Sequence, residues 1–130
     1  MRKKTFYIME RMPSLNDLIH ETRRNRYSGA KMKKHYTELA AREIMEQMEG
    51  WKANHHVLAK VDFYESGKKR DEDNVISGLK YIMDGLVMAG VLKNDSPRYV
   101  HVIPEVHYDG DTDEEGKKYS YSVITLIELD

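Results

Sequence analysis

Hydrophobic positions along the chain switch between a two-residue and a helical spacing, and each switch predicts a change of element. KTFYIME, near the start, has the aromatic and branched residues of a strand, and the punctuation of MPSLND then predicts a loop beginning near Pro13. From Ser28 onward Met32, Tyr36, Leu39, Ala40, Ile44 and Met48 recur at helical spacing, which predicts a long amphipathic helix stopped at Gly50. Val57, Ala59, Val61 and Phe63 alternate with more polar residues, the period of a half-buried strand. Val75, Leu79, Ile82 and Leu86, widened by Ile76, Met83 and Val87, predict a second helix of roughly four turns ending at Gly90. RYVHVIPEVHYD and KYSYSVITLIEL are strand-like and, joined by GDTDEEGK, predict a closing hairpin whose first strand is an edge or bulged at Pro104. The order is β-α-β-α-β-β. It implies a small α/β domain of mixed α+β character, a mixed sheet covered by two helices, with residues 1–130 as one domain.

Composition narrows the setting. A chain of 130 residues can bury about two thirds of the surface that it exposes when unfolded. With 40% hydrophobic and 33% charged residues it has no apolar run near the roughly 20 needed to span a bilayer. No membrane partner is expected. The basic start MRKKTFYIME lacks the apolar stretch of a secretion signal and there is no cysteine, so a cytoplasmic location is expected and any metal must be held by oxygen or imidazole.

The net charge of -1 hides an asymmetry. Residues 1–34 carry ten Lys or Arg against three acids, a balance of +7, whereas residues 105–130 carry two against eight, a balance of -6. The basic segment is densest in RRNRYSGAKMKK, where Arg23, Arg24, Arg26, Lys31, Lys33 and Lys34 are suited to neutralising phosphates; as a feature taken alone it is equally a solvated surface.

The opposite charge is concentrated in RDEDN, residues 70–74. In an extended approach to a helix Asp71 and Asp73 leave the backbone on the same side, about 6 to 7 Å apart at Cα, and can share one hard cation. Asp73 or Asn74 could instead cap the helix. On one continuous helix Asp73, Lys80 and Asp84 return to within about 20° of the same direction, which sets a lysine above the carboxylates. Such a lysine can stabilise charge on a phosphate or leaving oxygen; the alternative is a surface Lys–Asp pair. Asp95, in KNDSP, is a further oxygen ligand, and magnesium held by few carboxylates fits this set. DGDTDEEGKKYS begins like a calcium loop with Asp109, Asp111 and Asp113, but carries Glu114 where glycine is required and Ser120 where a bidentate glutamate is required. The six histidines show no paired metal spacing on a helix and are assigned no role.

R-D-E-D-N, K-Y-I-M-D-G-L and A-G-V-L-K-N-D-S, running from Arg70 to Ser96, together with P-S-L-N at Pro13 to Asn16, resemble the motifs of the RusA-like endodeoxyribonucleases, which resolve Holliday junctions and are often carried by prophages. The element order is matched over most of the chain, the specific motifs over a quarter of it. The resemblance implies catalytic and metal-binding roles for Asp71, Asp73 and Asp95, an essential lysine at Lys80, and a substrate-contacting loop containing Asn16. Lys69 and Arg70, beside the acids, join the basic arm as expected DNA contacts. The resemblance further implies a divalent cofactor, magnesium or alternatively manganese, and branched DNA, the four-way junction above all, as substrate. Two departures stand out: the stretch between Asn74 and Lys80 is about one helical turn longer than in the shorter family members, and Asn94 replaces the acid that often precedes the last catalytic one.

Geometry adds an expectation of its own. An unbroken helix from Val75 to Ala89 would be roughly 22 Å long and would put Asp95 at the end opposite Asp71 and Asp73. Either the chain folds back sharply or a second subunit supplies Asp95, and a twofold homodimer suits a junction cut on two opposed strands. The competing expectations are a non-catalytic DNA-binding adaptor whose acids only cap a helix, and a metal enzyme acting on a small phosphate ester.

Overall fold

The computed structural model describes residues 1–109 and 112–129. Among these residues the elements run β1 (Lys3–Ile8), α1 (Leu15–Arg24), α2 (Arg26–Gln47), β2 (Val57–Tyr64), α3 (Glu72–Ile76), α4 (Leu79–Met88), β3 (Val100–His107) and β4 (Tyr121–Glu128). The four strands form one mixed sheet in the order β1-β4-β2-β3, with β4 antiparallel to both neighbours and β2 parallel to β3. This is the expected mixed α+β class. No helix among the described residues is long and apolar enough to cross a membrane.

Alternation sets which face is buried. Val57, Ala59, Val61 and Phe63 of β2 and Ile124 and Leu126 of β4 are buried, while the positions between them stay partly exposed. The register carries this across the sheet: Phe6 pairs with Ile124, and Ile124 with Val61, so a row of apolar side chains meets the helices. Leu39, Ala40 and Ile44 of α2 and Ile82 and Leu86 of α4 complete the core. α2 and α4 approach closely at Gly85, where a Cβ would stand 2.9 Å from that of Ala40 and 3.1 Å from the Ala41 nitrogen.

Three expectations are corrected. The segment after Pro13 is a helix, because Ser14 caps α1 through a reciprocal box: its hydroxyl accepts from the Asp17 N–H at 3.1 Å, and the Asp17 carboxylate accepts from the Ser14 N–H at 2.8 Å. The second helix is not continuous. It breaks at Ser77–Gly78 into α3 and α4, and Gly78 packs so tightly on Met12 that a Cβ there would lie 2.7 Å from the Met12 Cβ. Finally, β3 and β4 form no hairpin: β2 lies between them, and β3 is reached from β2 by a crossover through α3 and α4. Pro104 accordingly lies on an edge strand, where a missing N–H is tolerated.

One buried carboxylate ties the sheet to the α2–β2 loop. Glu128 is 2% exposed and accepts from Arg2 Nη1 at 2.8 Å, from the His55 N–H at 3.1 Å and from the Asn54 N–H. The Asn54 bond, ahead of the opposing effect of burial and the help of Arg2, holds the Glu128 carboxyl below its ordinary value of 4.5. Its contribution to stability is therefore complete above that value and is lost as pH falls through the lowered one. In urea unfolding followed from about pH 6 to about pH 3, Glu128→Gln should be less stable than the parent at the upper end and lose less on acidification. Parallel curves for the two proteins would rule out this role.

Candidate metal and nucleic-acid site

The acidic knot lies at the entrance to the β2–β3 crossover. Asp71 is the N-cap position of α3, with φ -66° and ψ 156°, but no side chain caps the helix. Asp71, Glu72 and Asp73 are all exposed, and neither Asp71 nor Asp73 makes a side-chain hydrogen bond or ion pair among the described residues. The capping role expected of Asp73 or Asn74 is thus not realised. The knot is nonetheless held in place from behind. Arg70 donates to both oxygens of buried Glu65, at 2.9 Å each, and to the Met12 carbonyl at 3.1 Å. Tyr108 donates to the Arg70 carbonyl at 2.7 Å, and burial, followed by Glu72 and Asp71, pushes its hydroxyl above the ordinary tyrosine range.

Arg70 therefore differs from the other basic residues expected to contact DNA. Its side chain is 13% exposed and fully engaged with Glu65, a geometry that fixes the loop and leaves little of the guanidinium for phosphate. Lys69 beside it is exposed.

Lys80, in the first turn of α4, lies 3.0 Å from Asp84 and 3.7 Å from Asp95. Asp84 first, with Asp95 adding to it against burial, raises the ammonium above its ordinary value. The chain reaches this geometry by reversing at the end of α4. Gly90, at φ 83°, donates to the Val87 carbonyl at 3.0 Å and Val91 to that of Leu86 at 3.0 Å, the paired bonds of a Schellman turn. The following loop then returns along the helix. The sharp fold-back is observed, and Asp95 meets Lys80 within one chain. Asp73 does not join them: the break at Gly78 removes the helical register that was to stack Asp73 under Lys80.

Asp71, Asp73 and Asp95 do not form a closed ligand set in the single chain. The described residues hold one group of three ligands within 4.8 Å of one another, and it consists of Asp62, Glu105 and His107. This group could hold a metal ion. His107 Nε2 lies 2.9 Å from Asp62 Oδ1, and Lys60 Nζ lies 3.1 Å from the same oxygen while also bonding Glu105. Burial works against the Lys60 charge, but Glu105 and Asp62 outweigh it and raise the ammonium. Lys60 is thus a resident cation that a metal would have to displace. Nothing local in the sequence marks this group, because its members are ordinary polar strand positions until the parallel register sets Asp62 opposite Glu105 and Tyr64 opposite His107. Tyr64 also stacks between His107 and Tyr121, at 4.5 and 4.8 Å.

The basic arm forms the α1–α2 corner. Arg23, Arg24, Arg26, Lys31, Lys33 and Lys34 are all exposed there, as is Asn16, which lies in the first turn of α1 and not in a loop. Asn25 caps α2 by accepting from the N–H groups of Tyr27 and Ser28, and Gly29 lets the two helices meet, since a Cβ there would fall 2.5 Å from the Thr22 hydroxyl. Arg24 lies 3.8 Å from Glu21 and Lys34 4.0 Å from Glu38, loose pairs that leave the corner positive. Asp111, part of the discounted calcium-like loop, lies outside the described residues.

Neither protein-family models nor curated proteins give a match to this chain.

The Lys80 cluster is open to solvent, with the lysine side chain 65% exposed, so its charges are screened and its ion pairs are worth little to the fold. Lys80→Met should alter unfolding free energy by less than about 1 kcal/mol, read from the midpoint and slope of a urea titration. A loss several times larger would make the lysine a structural residue and remove it from the candidate site.

Proposed function

We propose that this chain is a RusA-like, magnesium-dependent endodeoxyribonuclease that cuts branched DNA, the four-way junction in particular, by phosphodiester hydrolysis. The observation that carries the reading is the state of Asp71 and Asp73: exposed, capping nothing and unpaired, yet mounted at the start of α3 directly after the anchoring Arg70–Glu65 pair. Charges left without partners on a braced support suit a ligand more than a structural role. The absence of any side-chain cap weighs against an adaptor in which the acids serve only the helix.

The donor chemistry fits magnesium at Asp71 and Asp73, hard oxygen ligands with room for water and phosphate, and Asp95, exposed and only loosely paired with Lys80 at 3.7 Å, would supply a third oxygen from the partner subunit. When bound, magnesium supplies an activated water and neutralises charge on the scissile phosphate. Lys80 offers its ammonium to the phosphate oxygens as charge builds. The α1–α2 corner holds the DNA backbone without reading its bases. Because the oxygens of Asp71, Asp73 and Asp95 do not all come within 4.8 Å of one another in the single chain, the proposal includes a homodimer in which the Lys80–Asp95 side of one subunit faces the Asp71–Asp73 side of its partner. Two such sites related by a twofold axis match two opposed strands.

Incubation of a labelled four-way junction with the purified protein should give paired nicks with magnesium and none without it. Asp73→Asn should lower the rate at least about 100-fold, whereas Asp62→Asn should retain cleavage. Mixing inactive Asp71→Asn and Asp95→Asn subunits should restore part of the activity through sites built from two chains. An intact junction under all conditions contradicts the nuclease reading; cleavage lost in Asp62→Asn and kept in Asp73→Asn moves the metal to the Asp62–Glu105–His107 group.

A further inference from the structure

The described surface contains a cavity of about 520 Å³ that none of the residues proposed for cleavage lines. It lies where the loop before β2, the turn after α4 and the residues entering β3 come together. Lys52, His55, His56, Lys93 and Arg98 supply its polar wall, and no aspartate or glutamate lines it. Lys52, Lys93 and Arg98 place three permanent positive charges around the hollow, and none of its lining residues is acidic. Glu128, behind the loop, accepts from Arg2 and from the Asn54 and His55 N–H groups.

The hollow is also preformed. Its segments are joined by backbone bonds from Ala53 to Val91 at 2.9 Å and from Val57 to Tyr99 at 2.9 Å, and His56 Nδ1 lies 3.1 Å from the Arg98 carbonyl. The positive groups alternate with an apolar surface: Val91 and Leu92 are buried, and the Arg98 guanidinium stands 5.7 Å from the Tyr99 ring centre. A bare inorganic anion would use only the charges. A ligand with both an anion and a flat organic group would use the whole wall, and the volume is that of a small-molecule site.

We infer that this cavity binds a nucleotide, its phosphate held by Lys52, Lys93 and Arg98 and its nucleoside placed against Tyr99 and the apolar floor. Two sources present that chemistry, a free nucleotide and one unit of a DNA strand. Lys93 and Arg98 flank Asp95 in sequence, so a strand seated here would leave along the loop that carries Asp95. The site does not depend on the chain being a nuclease.

Titration of the full chain in magnesium-free buffer, followed by amide NMR and calorimetry, separates these possibilities with three probes: adenosine 5′-monophosphate, adenosine, and a twelve-nucleotide single strand. The monophosphate, the strand or both should bind and shift amides in residues 52–56, 90–93 and 98–99, while adenosine should not. Binding by the strand alone identifies polymer DNA as the source; binding by the monophosphate, with or without the strand, identifies the free nucleotide. The Lys93→Ala/Arg98→Ala variant should weaken binding roughly tenfold or more. Shift mapping on the parent protein gives an answer even if that variant fails to fold. Unmoved amides in all three segments, or adenosine binding as tightly as its monophosphate, overturns the site. Because no cleavage is read, this result stands apart from success or failure of the nuclease proposal.

Discussion

Parallel strands cannot be joined by a tight turn, and the pairing of β2 with β3 therefore requires a crossover that carries the chain from one end of the sheet back to the other. Residues 65–99 are that crossover, and it holds every residue proposed for chemistry. Its two ends are determined by what the core demands: Arg70 is pinned to buried Glu65 where β2 stops, and the chain turns at Gly90 to re-enter the sheet as β3. Asp71 and Asp73 emerge just after the first anchor. Asp95 emerges just after the second.

The crossover also explains the uneven use of charge. The two buried glutamates are engaged, Glu65 with Arg70 and Arg11, and Glu128 with Arg2 and two backbone N–H groups, whereas half-buried Glu43 leaves Oε2 without a partner among the described residues and burial raises its carboxyl above the ordinary value. Burial favours such pairing, because an unpaired buried charge is costly and pushes the group towards its neutral form, the direction seen at Glu43. Solvent removes that pressure at the knot, so Asp71 and Asp73 can remain free at little cost to the fold. The Lys80–Asp84–Asp95 cluster stands between these limits, paired but exposed.

Much of the scaffold was legible because alternation is local. The β2 and β4 patterns, the long helix through Leu39 and Ile44, and the edge position of Pro104 follow from nearby residues alone. Strand partners are not local, and so the two closing strands read as a hairpin although β2 separates them. The helix break was hidden because Gly78 sits inside an apolar stripe whose period continues past it, and the packing with Met12 involves a residue far away in sequence. α1 is masked for a different reason: Ser14 and Asp17 form a capping signature, but the surrounding Pro, Asn and Asp favour a loop. At the site, residue types were readable and their grouping was not. Which carboxylate meets Lys80 depends on the Gly90 reversal, and the Asp62–Glu105–His107 group exists only through parallel register.

The free carboxylates at the start of α3 are the proposed binding place of a divalent cation. Manganese, added in small amounts to isotopically labelled protein, broadens amide resonances near its binding site and so locates the ion without requiring catalysis. The account predicts broadening centred on residues 71–74, competed away by magnesium. Broadening centred on Asp62, Glu105 and His107, with residues 71–74 unaffected, would contradict it.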